Sequence, residues 1–251
     1  MDIKGTCIAS ITDEHGPIYV YETKKVRILS FDGEIYQSSM KLNNINGLTL
    51  AYTQAMMAAI LFIPDLKVAS IMGLGSGSMV KNLLHNFPAV KVHAVEYRKA
   101  VADIARHYFS LPNTDRLSVH ISDAIRYMHA PVEKSDVIFS DLYSSEGMEP
   151  KQVQADYLSD CKNNLNEHGL LVLNVCHTTD KLQKDFDRLL ISEFANSVLS
   201  FTIEGNNKIV FAFKGKIPPL DADDLLIKAQ SLQEKNGVAM TRYAELLLLN
   251  N

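Results

Sequence analysis

Three carboxylates in this chain stand at the ends of short apolar runs, at intervals that suit one ligand cleft. Glu96 closes His93-Ala94-Val95-Glu96, Asp123 follows the run Leu117 to Ile121, and Asp141 follows Val137-Ile138-Phe139-Ser140. A further run, Val68 to Met72, leads into Gly73-Leu74-Gly75-Ser76-Gly77. Glycines directly after a strand let the backbone turn sharply and approach a ligand closely. The spacing is GxGxG, shorter than the GxGxxG that leads a pyrophosphate onto a helix N-terminus. It favours a single adenosine with a small charged tail over a dinucleotide. The same loop also occurs as a plain strand-to-helix turn.

Glu96 comes about 20 residues after the glycine loop, where an acidic side chain accepts hydrogen bonds from both hydroxyls of a ribose. Asp123, with Ala124 beside it, can receive the exocyclic amine of adenine or cap the helix that opens there, and the two roles are compatible. Asp141 lies at the carboxyl end of its strand, where ligands bind in open α/β sheets. A carboxylate there can take a proton from an attacking nucleophile or hold a cationic substrate. Asp136 opens the same strand and reads as structural. The loop Tyr143 to Pro150 is polar and contains Gly147, so it can act as a gate. Glu149 within it reads as a surface residue.

The elements that must position these groups follow from the apolar pattern. Residues 17–21 and 26–31 read as strands, and Asp32-Gly33 before Glu34-Ile35-Tyr36 is a hairpin signal, because a type I′ turn needs positive φ at both central residues. Leu48, Tyr52, Ala55, Met56, Ala59 and Ile60 form a helical stripe over 48–62. Strands are expected at 68–72, 90–95, 117–121, 137–139 and 170–175, with helices at 78–86, 98–109, 123–129, 151–165 and 180–193. That alternation means a parallel sheet covered on both faces. Runs 198–203 and 208–213 flank Gly205-Asn206-Asn207 and read as a late antiparallel hairpin. Beyond Pro218-Pro219, two helices are expected, from Asp221 to Glu234 and from Met240 to Leu249. The expected fold is α/β: a methyltransferase-like Rossmann sheet, mostly parallel with a C-terminal antiparallel hairpin, preceded by a small N-terminal β-hairpin domain. The chain divides into a β-rich head (1–47), a nucleoside-binding body (48–215) and a helical tail (216–251).

Composition narrows the class. The 251 residues are 47% hydrophobic and carry a formal net charge of -4. Disorder and collagen-like character are excluded, and no broad cationic field points to nucleic acid. The longest apolar run, Ala55 to Ile63, is too short to span a bilayer. Cys7, Cys161 and Cys176 suggest neither a disulfide framework nor a metal site, and the eight histidines show no ligand spacing. A cytoplasmic location without a metal or prosthetic group is expected.

With these residues in view, the chain resembles the spermidine synthase family, aminopropyltransferases with a methyltransferase-like fold. The resemblance runs from about residue 17 to 213. It is carried by Phe31-Asp32-Gly33 with Gln37, by Leu50-Ala51-Tyr52-Thr53-Gln54, by the Gly73 loop, and by Glu96, Asp123 and Asp141 at three strand ends. It implies decarboxylated S-adenosylmethionine as co-substrate, held by Gly73, Gly75, Ser76, Gly77, Glu96, Asp123 and Ala124. Asp141 is then the base that deprotonates the amine of putrescine or a related polyamine, with Gln37, Tyr52, Tyr143 and Ser144 lining the amine pocket. A homodimer is also implied.

Two positions depart from the family pattern. Ser76 stands where the family's glycine loop carries an aspartate, and Ser144 stands for a second aspartate after Asp141. Both changes remove negative charge where cations should bind, and an unpaired ammonium in a closed site is costly. The chain is therefore closest to the spermidine synthase-like branch. Two alternatives stay open: an enzyme that uses intact S-adenosylmethionine as a methyl donor, and a non-catalytic nucleoside-binding homologue.

Overall fold

The computed structural model describes residues 5–144, 147–176, 180–204 and 207–250. The head is a four-stranded antiparallel sheet in the order β1 (Thr6–Asp13), β2 (Gly16–Glu22), β3 (Val26–Ser30) and β4 (Ser38–Lys41). β1 is exposed along most of its length, and its apolar residues Ile8, Ala9 and Ile11 do not alternate at every second position, so it offers no period-two pattern for a sequence reading to find. The strand expected at Glu34–Tyr36 is absent. Asp32 instead builds a wider loop: its Oδ1 accepts from the backbone N–H of Glu34 and Ile35, both at 2.8 Å, and from Ser30 Oγ. Pairing resumes only at Ser38, and Ile35 and Tyr36 are left 55% and 44% exposed beside the cleft described below.

The body opens with α1 (Ala51–Met56), which tightens into a 3-10 segment over Met57–Phe62. Then come β5 (Val68–Met72), α2 (Ser78–Asn86), β6 (Lys91–Glu96), α3 (Lys99–Tyr108), β7 (Leu117–Ile121), α4 (Ala124–His129) and β8 (Ser135–Ser140). A two-residue pairing of β9 (Tyr143–Ser144) with β10 (Gly147–Met148) follows, and a 3-10 turn over Pro150–Val153 leads into α5 (Ala155–Asn163). β11 (Leu165–Val175), α6 (Asp180–Glu193), β12 (Val198–Ile203) and β13 (Asn207–Phe213) complete it, before α7 (Ala222–Asn236) and α8 (Met240–Asn250).

The main sheet runs β12-β13-β11-β8-β5-β6-β7. β13 is antiparallel to both neighbours, and the other four pairings are parallel. The last two strands pair antiparallel as expected, Gly205 and Asn206 of the expected turn lying outside the described residues, but the order is informative: β13 slots between β11 and β12 and does not sit at the edge. Burial explains this. Residues 209–213 are buried on both faces, as an interior strand must be, whereas β12 alternates like a half-covered edge.

The topological switch lies between β5 and β8, where successive crossovers leave β5 in opposite directions. Ligands bind at such a crevice. α7 and α8 pack onto the main core through Leu225, Ala229, Met240, Tyr243 and Leu247, and the Tyr243 hydroxyl donates to the Ala51 carbonyl at 3.2 Å. No residue of these two helices lines the cleft. Among the described residues, no helix is long and apolar enough to cross a membrane.

The head is fixed to the body by apolar packing, by hydrogen bonds that include Arg27 to the Tyr108 carbonyl, and by an ion pair. Ile18, Val20, Leu29 and Met40 share a core with Val101, Ile104 and Phe109. The Arg98 guanidinium forks onto Asp13, Nε to Oδ2 at 3.0 Å and Nη2 to Oδ1 at 2.6 Å, and also donates to the Gly16 carbonyl. It lies over the Phe31 ring, 4.9 Å from the centroid. This pair holds the Asp13 carboxyl below the usual carboxylate range. Both partners are largely shielded, so breaking the pair strands a charge. Arg98→Ala should lower the unfolding free energy by about 2–3 kcal/mol, read by urea denaturation. The depressed carboxyl sets the sign with pH: the stabilisation is full above the unfolded value near 3.8 and is lost as pH falls through the folded one. The gap between wild type and variant should therefore close in acid.

Candidate active site

Above the carboxyl ends of β5, β6, β7, β8 and β11 lies a cavity of about 660 Å³. β5 delivers the glycine loop, where Gly73, Gly75 and Gly77 all have positive φ, at 94°, 53° and 71°. Gly73 has no alternative. A Cβ there would stand 2.3 Å from the Asp141 carbonyl oxygen, so the loop and the strand end carrying Asp141 touch backbone to backbone. Gly73 and Gly75 line the cavity with Leu74.

Ser76 and Gly77, expected beside them, do not line it. Ser76 is fully buried, and its hydroxyl pairs with Ser38 Oγ of β4 at 2.6 Å. Gly77 caps α2 with its Cα against Leu111. The side chain at the position expected to hold the co-substrate's tail is thus spent on joining head to body.

Glu96 ends β6 and lines the cavity while only 8% exposed. Its Oε2 accepts from the N–H groups of Leu74 at 3.2 Å and Gly75 at 3.4 Å, and Oε1 accepts from Arg98 N at 3.0 Å. Burial pushes its pKa up, and these three donors oppose the rise. The carboxylate therefore ties β6 to the glycine loop. Asp123 caps α4, accepting from Ile125 N at 2.7 Å and Arg126 N at 3.2 Å, while it and Ala124 line the cavity. Asp136 anchors the opposite end of β8 through Lys67 N, Val68 N and Asn166, away from the cavity, in keeping with its structural reading.

Asp141 sits at the floor, enclosed by protein yet open to the cavity. Burial raises its pKa to about 6, against two donors that favour the charged form, Asn174 and Tyr52. Asn174 Nδ2 reaches Oδ1 at 2.9 Å. The Tyr52 hydroxyl of α1 is the second donor, and its own ionisation is pushed far up by burial and by the Asp141 charge. The Tyr143 hydroxyl donates to the Asn174 carbonyl at 3.2 Å. Gln152 holds the β8 end from behind, accepting from Ser140 Oγ at 3.0 Å and donating to the Asn174 carbonyl at 3.3 Å. A carboxylate in this setting is a base poised close to neutrality.

Gln37, Tyr52, Tyr143 and Ser144 all line the same cavity as Asp141. So does Glu149, which the sequence reading placed on the surface. Its N–H bonds the Leu142 carbonyl at 2.8 Å, which sets it directly across from the residue after Asp141. Lys151 lines the same cavity. The sequence reading gives Asn174 no role and places Asn207 in a hairpin turn, whereas both line the cavity and Asn207 is the first residue of β13. Asn174 obeys the rule that found the carboxylates, since it sits near the carboxyl end of a parallel strand, but an amide carries no charge to draw attention. Among the described residues, no group of three or more His, Cys, Asp or Glu side chains could hold a metal ion.

The comparisons with known proteins agree with this architecture. Residues 49–203 match the model of the spermine/spermidine synthase domain, and the chain belongs to that family. It is 29% identical to a polyamine aminopropyltransferase of Neisseria meningitidis serogroup A over 226 residues, covering 89% of this chain and 86% of the relative. A probable spermidine synthase of Corynebacterium glutamicum superposes with a TM-score of 0.76 at 17% identity, covering 95% of this chain and 94% of that one. Human methyltransferase-like protein 13 in complex with SAH superposes with a TM-score of 0.68 at 24% identity, over 75% and 93% of the two chains. The two structures share the fold.

Proposed function

We propose that this chain transfers an aminopropyl group from decarboxylated S-adenosylmethionine to a diamine or polyamine. The observation that carries the reading is Asp141, held by Tyr52 and Asn174 beside the glycine loop in one cavity. Asp141 takes one proton from the acceptor ammonium. The freed nitrogen attacks the aminopropyl carbon next to the sulfonium, the C–S bond breaks, and methylthioadenosine leaves neutral. The sulfonium is already an activated leaving group, so the protein supplies one base and positioning. Glu96, Asp123, Ala124, Gly73 and Gly75 are the nucleoside wall, and Gln37, Tyr143 and Ser144 belong to the amine end.

A diamine brings a second cation. Glu149 lines the cavity, with Oε1 accepting from Lys151 N at 3.2 Å, and its carboxylate is the group we assign to that cation in place of Ser144. Glu149→Gln should raise KM for putrescine about tenfold, the effect of one charge-assisted hydrogen bond, and leave methylthioadenosine affinity unchanged. An unchanged KM would remove Glu149 from the acceptor site.

One observation favours the methyl-transfer alternative. Ser76 is turned away from the cavity, so no carboxylate on the glycine loop meets the donor's tail ammonium. Calorimetric titration of the purified chain with S-adenosylmethionine, its decarboxylated form and methylthioadenosine separates the readings. Tighter binding of the decarboxylated form supports aminopropyl transfer. Preference for the intact form supports methyl transfer, and no binding leaves the non-catalytic homologue.

The reading includes a cytoplasmic homodimer. β1 is an edge strand with Ile8 and Ile11 38% and 41% exposed, and bare edges invite pairing. Sedimentation should give the mass of two chains, and a monomer at all concentrations would contradict it.

A further inference from the structure

Asn174 does not stand alone behind Asp141. Its Oδ1 accepts from Asn207 Nδ2 at 2.8 Å, and Asn207 opens β13 and lines the cavity. Two amides and a carboxylate thus form one line, Asn207 to Asn174 to Asp141, with distances of 2.8 and 2.9 Å. An amide side chain has one donor end and one acceptor end, and a half-turn exchanges them. Asn174 serves an ionised Asp141 only with its N–H₂ end. The reversed amide would aim its carbonyl oxygen at the carboxylate and could be tolerated only by the protonated acid.

We infer that Asn207 is a positioning residue that fixes the polarity of the Asn174 amide, so that Asn174 presents a donor to Asp141 and keeps it available as a base. The inference rests on the reading of Asp141 as the base, but its polarity claim can be measured without turnover. The titratable groups that face Asp141 are Tyr52 from α1 and Tyr143 from β9, with Cys176 beside Tyr143 and Glu149 and Lys151 on the same cavity. Both tyrosines are pushed above their ordinary value, so neither titrates with the carboxyl.

Asn207→Asp is nearly isosteric and replaces the donor by an acceptor. One Asn174 amide cannot donate to two ionised carboxylates on opposite ends, so Asp141 must compete for it. The test is the titration of the Asp141 carboxyl carbon in ¹³C-aspartate-labelled full-length protein, assigned by comparison with Asp141→Asn. Asn207→Asp should raise the Asp141 pKa by about one unit or more over wild type. In the Asn174→Leu background, where no amide links the two positions, most of that rise should vanish.

An unmoved Asp141 titration in Asn207→Asp would overturn the inference. So would an equal rise with and without Asn174, which would mark plain charge repulsion through space. If aminopropyl transfer proves undetectable while the carboxyl titrations behave as stated, the functional reading falls and the amide lock stands. Should transfer be present, the acid limb of kcat/KM for putrescine in Asn207→Asp should move by the same amount as the carboxyl.

Discussion

Asp141→Asn should abolish aminopropyl transfer, with kcat reduced at least about 10³-fold, while methylthioadenosine binds within about twofold of wild type. The asymmetry follows from position. Asp141 is bonded to Tyr52 and Asn174, whereas the nucleoside wall we propose is Glu96, Asp123 and the glycine loop, which share the cavity but make no hydrogen bond to its carboxylate. The same substitution should make the unliganded protein more stable at neutral pH. Burial raises the folded pKa to about 6 from the ordinary 3.8, so ionising Asp141 costs stability as pH rises through that interval. Removing the charge relieves the cost. The gain, of order 1 kcal/mol after allowing for the asparagine's misfitted N–H₂, should be present at pH 7.5 and absent near pH 4. Thermal unfolding at the two pH values checks this. In the wild type, kcat/KM should fall on acidification through about pH 6, because the base must be ionised to act.

Gly73→Ala should be the most damaging single methyl in the body. The backbone there has φ 94°, which an L side chain rarely adopts, and the new Cβ would stand 2.3 Å from the Asp141 carbonyl oxygen. The obstacle is backbone, so no rotamer change relieves it. Asp141 N donates to the Met72 carbonyl at 2.9 Å and Gly73 N to the Val95 carbonyl at 3.0 Å, so separating the loop from β8 strains pairings on both sides of β5. A loss of about 3–4 kcal/mol is expected, which for a chain of this size lowers Tm by roughly 10 °C. Activity should fall even in protein that remains folded, since the base and the nucleoside loop are joined at this contact. Gly147→Ala is a control: it also has positive φ, at 114°, but among the described residues beyond its chain neighbours no atom lies within 4 Å of the added Cβ. Its cost should be confined to backbone strain, about 1–2 kcal/mol.

Much of this was legible in the sequence because strand ends advertise themselves. Short apolar runs leading to Glu96, Asp123 and Asp141 give both the sheet and the crevice, and the structure brings all three to one cavity. The head was harder to read. Asp32-Gly33 signals a tight turn, but the Asp32 carboxylate gathers two N–H groups and spreads the turn into a loop, displacing the next strand to Ser38. The position of β13 could not be read from a hairpin signal, because the turn says that two strands pair and not which of them is interior. Ser76 shows a different gap. Its place in the glycine loop was plain, but the direction of its side chain depends on Ser38, 38 residues away. The roles of Asn174 and Asn207 escaped notice because they lie in the orientation of two neutral amides, which composition and spacing do not encode.

Aminopropyl and methyl transfer differ in which bond to the donor's sulfur breaks. The purified chain should be incubated with putrescine and either decarboxylated or intact S-adenosylmethionine, and the nucleoside and amine products identified by mass spectrometry. Methylthioadenosine and spermidine should form in equal amounts from the decarboxylated donor, with no turnover of the intact one. Release of S-adenosylhomocysteine from the intact donor, with none of the aminopropyl product, would contradict aminopropyl transfer.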